Sequence, residues 1–85
     1  MVTHIEHHSL SEEVAEYLLT HLLVSDQYPR GTYIREEEVA RSLDISRAPV
    51  REALRILDSQ GLVRSIPRRG ALVLDYSEED VAELY

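Results

Sequence analysis

Cysteine is absent from the 85 residues, and so is lysine. Without cysteine neither a disulfide framework nor a thiolate metal site can form, and nothing argues for an oxidising compartment, so a cytoplasmic address is expected. Long apolar runs are missing as well. A stretch such as Leu22 to Val24 falls far short of the roughly 20 residues needed to span a bilayer, and the start, MVTHIEHH, has neither a basic n-region nor an apolar h-region. A membrane partner is therefore excluded from the expectations. No nucleophile-elbow spacing, glycine-rich phosphate loop or carboxylate pair in an apolar setting occurs, which leaves catalysis without support. At this length the chain is one small domain with a modest core.

What is present is an uneven charge. The formal net charge is −7, with nine basic and sixteen acidic residues. All the basic residues are arginines, and all lie between Arg30 and Arg69, whereas the first 29 residues and the tail from Ala71 carry acids and no base. From Arg47 to Arg69 six arginines stand against only Glu52 and Asp58. A concentrated basic segment on an acidic body reads as an electrostatic footprint, and the guanidinium fork suits phosphate oxygens and guanine edges.

The order of elements explains where that charge is displayed. Ser9 with Glu12 forms a capping box, and Leu10, Val14, Tyr17, Leu18 and Leu22 follow at helical spacing, which predicts a first helix from about Leu10 to Val24. Pro29 and Gly31 punctuate a turn, and Thr32 to Ile34 has strand propensity for a short edge piece. Glu36 to Leu43 is a short amphipathic helix with three glutamates in its first turn, where the helix dipole favours them. After a tight connection in which Asp44 tolerates a left-handed backbone, Ser46 is expected to cap a third helix running to Gln60. Pro49 sits in its first turn at no cost, and Gly61 stops it. LVRSI and ALVL, joined by Pro67 to Gly70, then read as a two-stranded hairpin. Two helices joined by a turn, followed by a hairpin, make a winged helix-turn-helix, mainly α with a small β-hairpin.

On the third helix Arg47, Arg51 and Arg55 cover an arc of about 80°, beside an apolar arc of Val50, Ala53, Leu54 and Leu57. One face packs and the other stays free. The arginine stripe begins at the helix N-terminus, where cations oppose the dipole, so helix stability does not account for Arg47. Arg68 and Arg69 crown the hairpin. The guanidinium groups of helix and hairpin are expected to share one exposed surface, wide enough to straddle a duplex and not tied up in internal carboxylate pairs. Of the weaker signals, His4, His7 and His8 read as a polar tail rather than a metal cluster, and His21 as a half-buried or surface histidine rather than a base.

The segments PRG, EEEVARSLDISRAPVREAL, LDSQGLV and PRRGALV resemble the DNA-binding domain of the GntR family of bacterial transcriptional regulators, over roughly Leu10 to Val73. The resemblance implies a winged helix-turn-helix at 9–74 that reads a palindromic operator in double-stranded DNA, with a homodimer in the full-length protein. The candidate DNA contacts are Arg35, Ser46, Arg47, Ala48, Pro49, Arg51 and Arg55, with the wing tip at Arg68, Arg69 and Gly70; Gly70 permits close backbone approach. Residues 1–8 are expected to be a flexible tail. The segment 75–85, with a capping box at Ser77 to Asp80, is similar to the linker and first helix of the FadR-like subfamily. That implies an absent C-terminal domain able to hold a small-molecule effector or a metal, with no cofactor in the present domain.

Glu37 departs from the pattern, since many relatives carry a DNA-reading arginine there. A carboxylate at that place repels phosphate and can accept from a cytosine amino group, leaving Arg35 or Arg41 to compensate. Arg35 itself stands where a capping serine is common. The competing expectation is a winged helix kept as a protein-interaction module without DNA binding, for which the acidic total and Glu37 argue.

Overall fold

Ser9 starts the fold with the reciprocal cap that its spacing to Glu12 predicts. In the computed structural model, which describes residues 9–25 and 27–74, the Ser9 hydroxyl accepts from the Glu12 amide at 3.1 Å. The Glu12 carboxylate accepts from the Ser9 amide, also at 3.1 Å. Two of the donors left over at a helix start are thus satisfied together. Ser9→Ala is expected to lower stability by about 1 kcal/mol in a urea titration; an unchanged midpoint would show that the box contributes nothing. The tail at 1–8 with its histidines, and the capping box at Ser77 to Asp80, lie outside the described residues.

Helix α1 (Leu10–Leu23) is followed by strand β1 (Tyr33–Ile34), helices α2 (Glu36–Leu43) and α3 (Arg47–Ser59), and strands β2 (Val63–Ile66) and β3 (Gly70–Val73). Both α2 and α3 stop by the same device. At the end of α2 the Asp44 amide donates to the Arg41 carbonyl at 3.2 Å and the Ile45 amide to Ala40 at 3.0 Å. Asp44 takes the left-handed conformation at φ 58°, ψ 48°. At the end of α3 Gly61 does the same at φ 80°, with its amide on Asp58 and the Leu62 amide on Leu57, both at 3.0 Å. This is the Schellman pattern, which returns the chain sharply and buries the residue after the turn. Ile45 packs on the core after the first turn and Leu62 enters it after the second. The first of these turns is what sets α2 and α3 at the angle of a helix-turn-helix.

The apolar arcs read from the sequence are the buried ones apart from Leu10, which is 47% exposed, and Tyr17 and Leu43, which are only partly covered. Val14, Leu18 and Leu22 of α1 meet Val39 and Ala40 of α2 and Val50, Ala53, Leu54 and Leu57 of α3, with Leu18, Val50 and Ala53 fully shielded from solvent. The sheet closes the core from the other side through Ile34, Val63, Ala71 and Val73.

The wing is wider than the expected hairpin. The strands form a three-stranded antiparallel sheet in the order β1-β3-β2, in which Ile34 pairs with Ala71 and Tyr33 with Leu72, while Arg64 pairs with Leu72 and Ser65 with Ala71. A two-residue strand has no periodicity to read, and its pairing with β3 is long-range. The Val73 amide also donates to the Thr32 carbonyl and the Gly31 amide to the Val73 carbonyl, each at 2.8 Å. Asp58 fixes the other side, accepting from the Ser65 amide at 3.1 Å, so β2 is bonded directly to the end of α3.

Candidate nucleic-acid interface

The first turn of α3 is unusually open. Ser46 has the extended backbone of an N-cap (φ −73°, ψ 169°), yet its hydroxyl makes no capping hydrogen bond, and the turn carries no acidic residue. The expected serine cap is therefore corrected: the residue is in place, but its oxygen is not spent on the helix. Ser46 is exposed, and its hydroxyl and the leftover donors of that turn are available to an anion. Arg47 and Ala48 stand exposed beside it, with Pro49 half-buried.

A cleft of about 340 Å³ brings the start of α2, the free face of α3 and the wing together. Arg35, Glu36 and Glu37 line it from α2 and its cap, Arg47, Arg51 and Leu54 from α3, and Ser65, Ile66, Arg68, Arg69, Gly70 and Ala71 from the wing. Six of the ten sequence-predicted contact residues thus share one concavity. Ser46, Ala48, Pro49 and Arg55 do not line it.

The arginines of α3 are not unpaired, contrary to expectation. Arg51 donates through Nε to Oε2 of Glu36 at 3.3 Å and through Nη2 to Oε1 at 2.9 Å. Arg47 Nη2 lies 3.4 Å from the same Oε1 and 3.8 Å from Oε1 of Glu37. Arg55 donates to Glu52 on its own helix at 2.6 Å. The reason is geometric: the Asp44 turn lays the acidic first turn of α2 against the basic first turn of α3, where each charge relieves the other. The Arg51 hydrogen bond holds the Glu36 carboxyl below its ordinary range. A depressed carboxylate stays charged at neutral pH, and the pair is lost only as the pH falls through that lowered value. Glu36 in turn raises Arg51.

These pairs do not remove the basic face. The Arg47 and Arg51 side chains are 57% and 54% exposed despite them, and exposed ion pairs exchange partners at little cost. Among the described residues the guanidinium groups of Arg35, Arg68 and Arg69 make no hydrogen bond or ion pair. The Arg69 amide donates to the Ile66 carbonyl at 3.1 Å, closing a turn in which Arg68 sits at φ 69°. That position of a turn calls for glycine or asparagine. An arginine held there is locally costly, a feature that clusters at functional sites. The close approach that Gly70 permits is made by its own chain: a β-carbon would stand 2.6 Å from the Ile34 carbonyl oxygen.

No group of three or more His, Asp or Glu side chains able to hold a metal occurs among the described residues. His21 is half-buried, its Nδ1 2.7 Å from the Tyr17 carbonyl oxygen and its ring 4.1 Å from that of Tyr17. It is part of the α1 surface and remote in sequence from the cleft.

Comparison with known proteins agrees with this fold. The profile of the bacterial regulatory proteins of the gntR family matches residues 10–73. A gluconate operon transcriptional repressor from Bacillus subtilis (strain 168) is 41% identical over 69 residues, spanning 81% of this chain and 28% of the repressor. Among solved structures, a GntR-family transcriptional regulator from Pseudomonas syringae pv. tomato str. DC3000 superposes with a TM-score of 0.70 at 35% identity, over 87% of this chain and 31% of that one. A putative transcriptional regulator GntR from Rhodococcus sp. RHA1 gives 0.71 at 32% identity, over 86% and 35%. The chain spans about a third or less of these relatives.

Proposed function

The chain belongs to the gntR family of bacterial regulatory proteins as its winged-helix DNA-binding domain, and we propose that it reads an operator in double-stranded DNA by laying α3 in the major groove with the wing on flanking backbone or minor groove. The relatives it matches are transcriptional regulators rather than enzymes. One observation carries the proposal: the N-terminal arginines of α3 and the wing-tip arginines line the same open cleft. Arg47 and Arg51, nearest the start of α3, are the base readers, as the geometry of this motif favours. Ser46, Ala48 and the open first turn take a phosphate, with Pro49 presetting its backbone, and Arg35, Arg68 and Arg69 take flanking backbone. Arg55, paired with Glu52 and outside the cleft, has the smallest share.

Regulation by repression, as the name of the Bacillus relative suggests, a palindromic operator, a homodimer of the full-length protein, and a FadR-like C-terminal domain holding the effector or metal belong to the same proposal. A linker at 75–85 and a cytoplasmic location complete it; no helix among the described residues is long and apolar enough to cross a membrane. The carboxylates of Glu36 and Glu37 inside the cleft favour the rival protein-interaction module, and salt separates the two. Binding by phosphate neutralisation makes log affinity fall linearly with log salt. Arg68→Gly keeps the turn, since glycine adopts φ 69° freely, and removes only the guanidinium. It is expected to weaken all duplexes evenly and to reduce the salt slope by about 1. Affinity for duplexes that does not respond to salt rejects the proposal.

A further inference from the structure

Arg51 uses only part of its donor set on Glu36. A guanidinium carries five N–H groups in a plane, arranged as a side-on fork (Nε with Nη2) and an end-on fork (Nη1 with Nη2). Glu36 takes the side-on fork, one oxygen to each nitrogen, at 3.3 and 2.9 Å. The end-on fork remains free. Glu36 is the anchored member of the pair, with its side chain 25% exposed against 54% for Arg51, and it is seated in the first turn of α2, where the helix dipole favours its charge. Its second partner, Arg47, closes on the same oxygen from the preceding turn of α3. A long, flexible side chain that lines the cleft is thereby restricted in rotation about its own axis.

We infer that Glu36 is a positioning residue for base recognition: by holding the side-on fork of Arg51 it aims the end-on fork at the paired acceptors of a guanine, O6 and N7. The inference rests on the proposed DNA-binding function and deepens it. An unheld arginine on this face would swing to the nearest phosphate oxygens, which offer acceptors in every direction and carry no sequence information. A guanine edge offers two acceptors in one plane, and a preorganised fork meets them with little further loss of rotamer freedom. Glu36 also has a cost for binding in general, since a carboxylate at the cleft repels phosphate. Affinity and discrimination therefore move in opposite directions when it is removed, which a merely structural or merely repulsive carboxylate does not produce.

The experiment uses the 85-residue chain and a duplex recovered by selection from random sequences, with 7-deazaguanine placed at each guanine in turn to delete the N7 acceptor. For the native chain one substituted guanine is expected to weaken binding about tenfold, and Arg51→Ala should abolish that sensitivity. Glu36→Ala should abolish it too, while binding a random duplex as well as the native chain or better. Glu36→Gln, whose amide oxygen still accepts one hydrogen bond, should retain part of it. The double variant should discriminate no worse than Arg51→Ala alone. Circular dichroism of each variant checks that the fold persists, and Glu36→Gln carries the test if Glu36→Ala does not fold. Full sensitivity retained in the Glu36 variants overturns the inference while leaving DNA binding intact. Loss of affinity for all duplexes equally overturns it as well, by placing Arg51 on phosphate. A native chain that binds no duplex defeats the function and this inference together.

Discussion

Gly70→Ala is expected to lower the stability of the domain by about 2–4 kcal/mol. Two separate faults add. The backbone at Gly70 has φ 113°, a conformation that an L side chain rarely adopts, and the new β-carbon would lie 2.6 Å from the carbonyl oxygen of Ile34 and 3.3 Å from its carbon. Neither atom can retreat, because both are backbone and Ile34 is held in register opposite Ala71. Gly61→Ala is the control. It has a similar left-handed φ of 80° but nothing within 4 Å of the added carbon, so it carries the conformational fault alone. The difference between the two variants in urea midpoint isolates the contact with β1. Domains of this size are stable by only about 5–15 kcal/mol, so Gly70→Ala removes a substantial share, and equal midpoints for the two variants would show that the strand yields. The added carbon would only reach ordinary contact with the Arg35 side chain, 3.5 Å away, so the fault lies with β1, where this glycine sets the wing tip against the chain that enters α2.

Local signals in the sequence were the dependable ones. The Ser9 capping box, the Asp44 turn, the Gly61 stop and the apolar arcs of all three helices depend on residues within a few positions of each other, and the structure contains each. What escaped was set at long range. The short edge strand at Thr32 to Ile34 is legible from its propensity, but its pairing with β3, almost forty positions later, is not. The Glu36–Arg51 pair joins residues fifteen apart, and only the angle between α2 and α3 brings them together. The sequence held a hint, since a run of three glutamates facing a run of arginines across a tight turn must place opposite charges side by side. Ser46 shows the converse: its residue type signals a cap, but hydroxyl orientation is decided by neighbours, and here the capping bond is not made. The placement of Arg68 at a positive φ was also invisible, because arginine is a poor choice there on conformational grounds.

Arg51→Ala is expected to reduce discrimination between the preferred duplex and its single-base-pair variants by about ten- to a hundredfold at one position, and to weaken discrimination at no other position. Selection from random DNA with each protein measures this directly, as the loss of one preferred base pair from the recovered sequences. The effect should be confined because Arg51 lines the cleft with Arg47 and the wing, and its backbone is fixed by the buried Val50, Leu54 and Leu57 on the adjoining face of α3. Deleting the side chain beyond its β-carbon therefore leaves the path of α3 intact. It also frees Glu36 from its larger partner, so the carboxylate falls to Arg47, which already lies 3.4 Å from the same oxygen. That transfer predicts a secondary change: in Arg51→Ala the position read by Arg47 should sharpen or hold, because its guanidinium gains the anchor that Arg51 gave up. An even loss of affinity across all sequences, with the recovered preference unaltered, would assign Arg51 to phosphate and leave Arg47 as the reader of the bases.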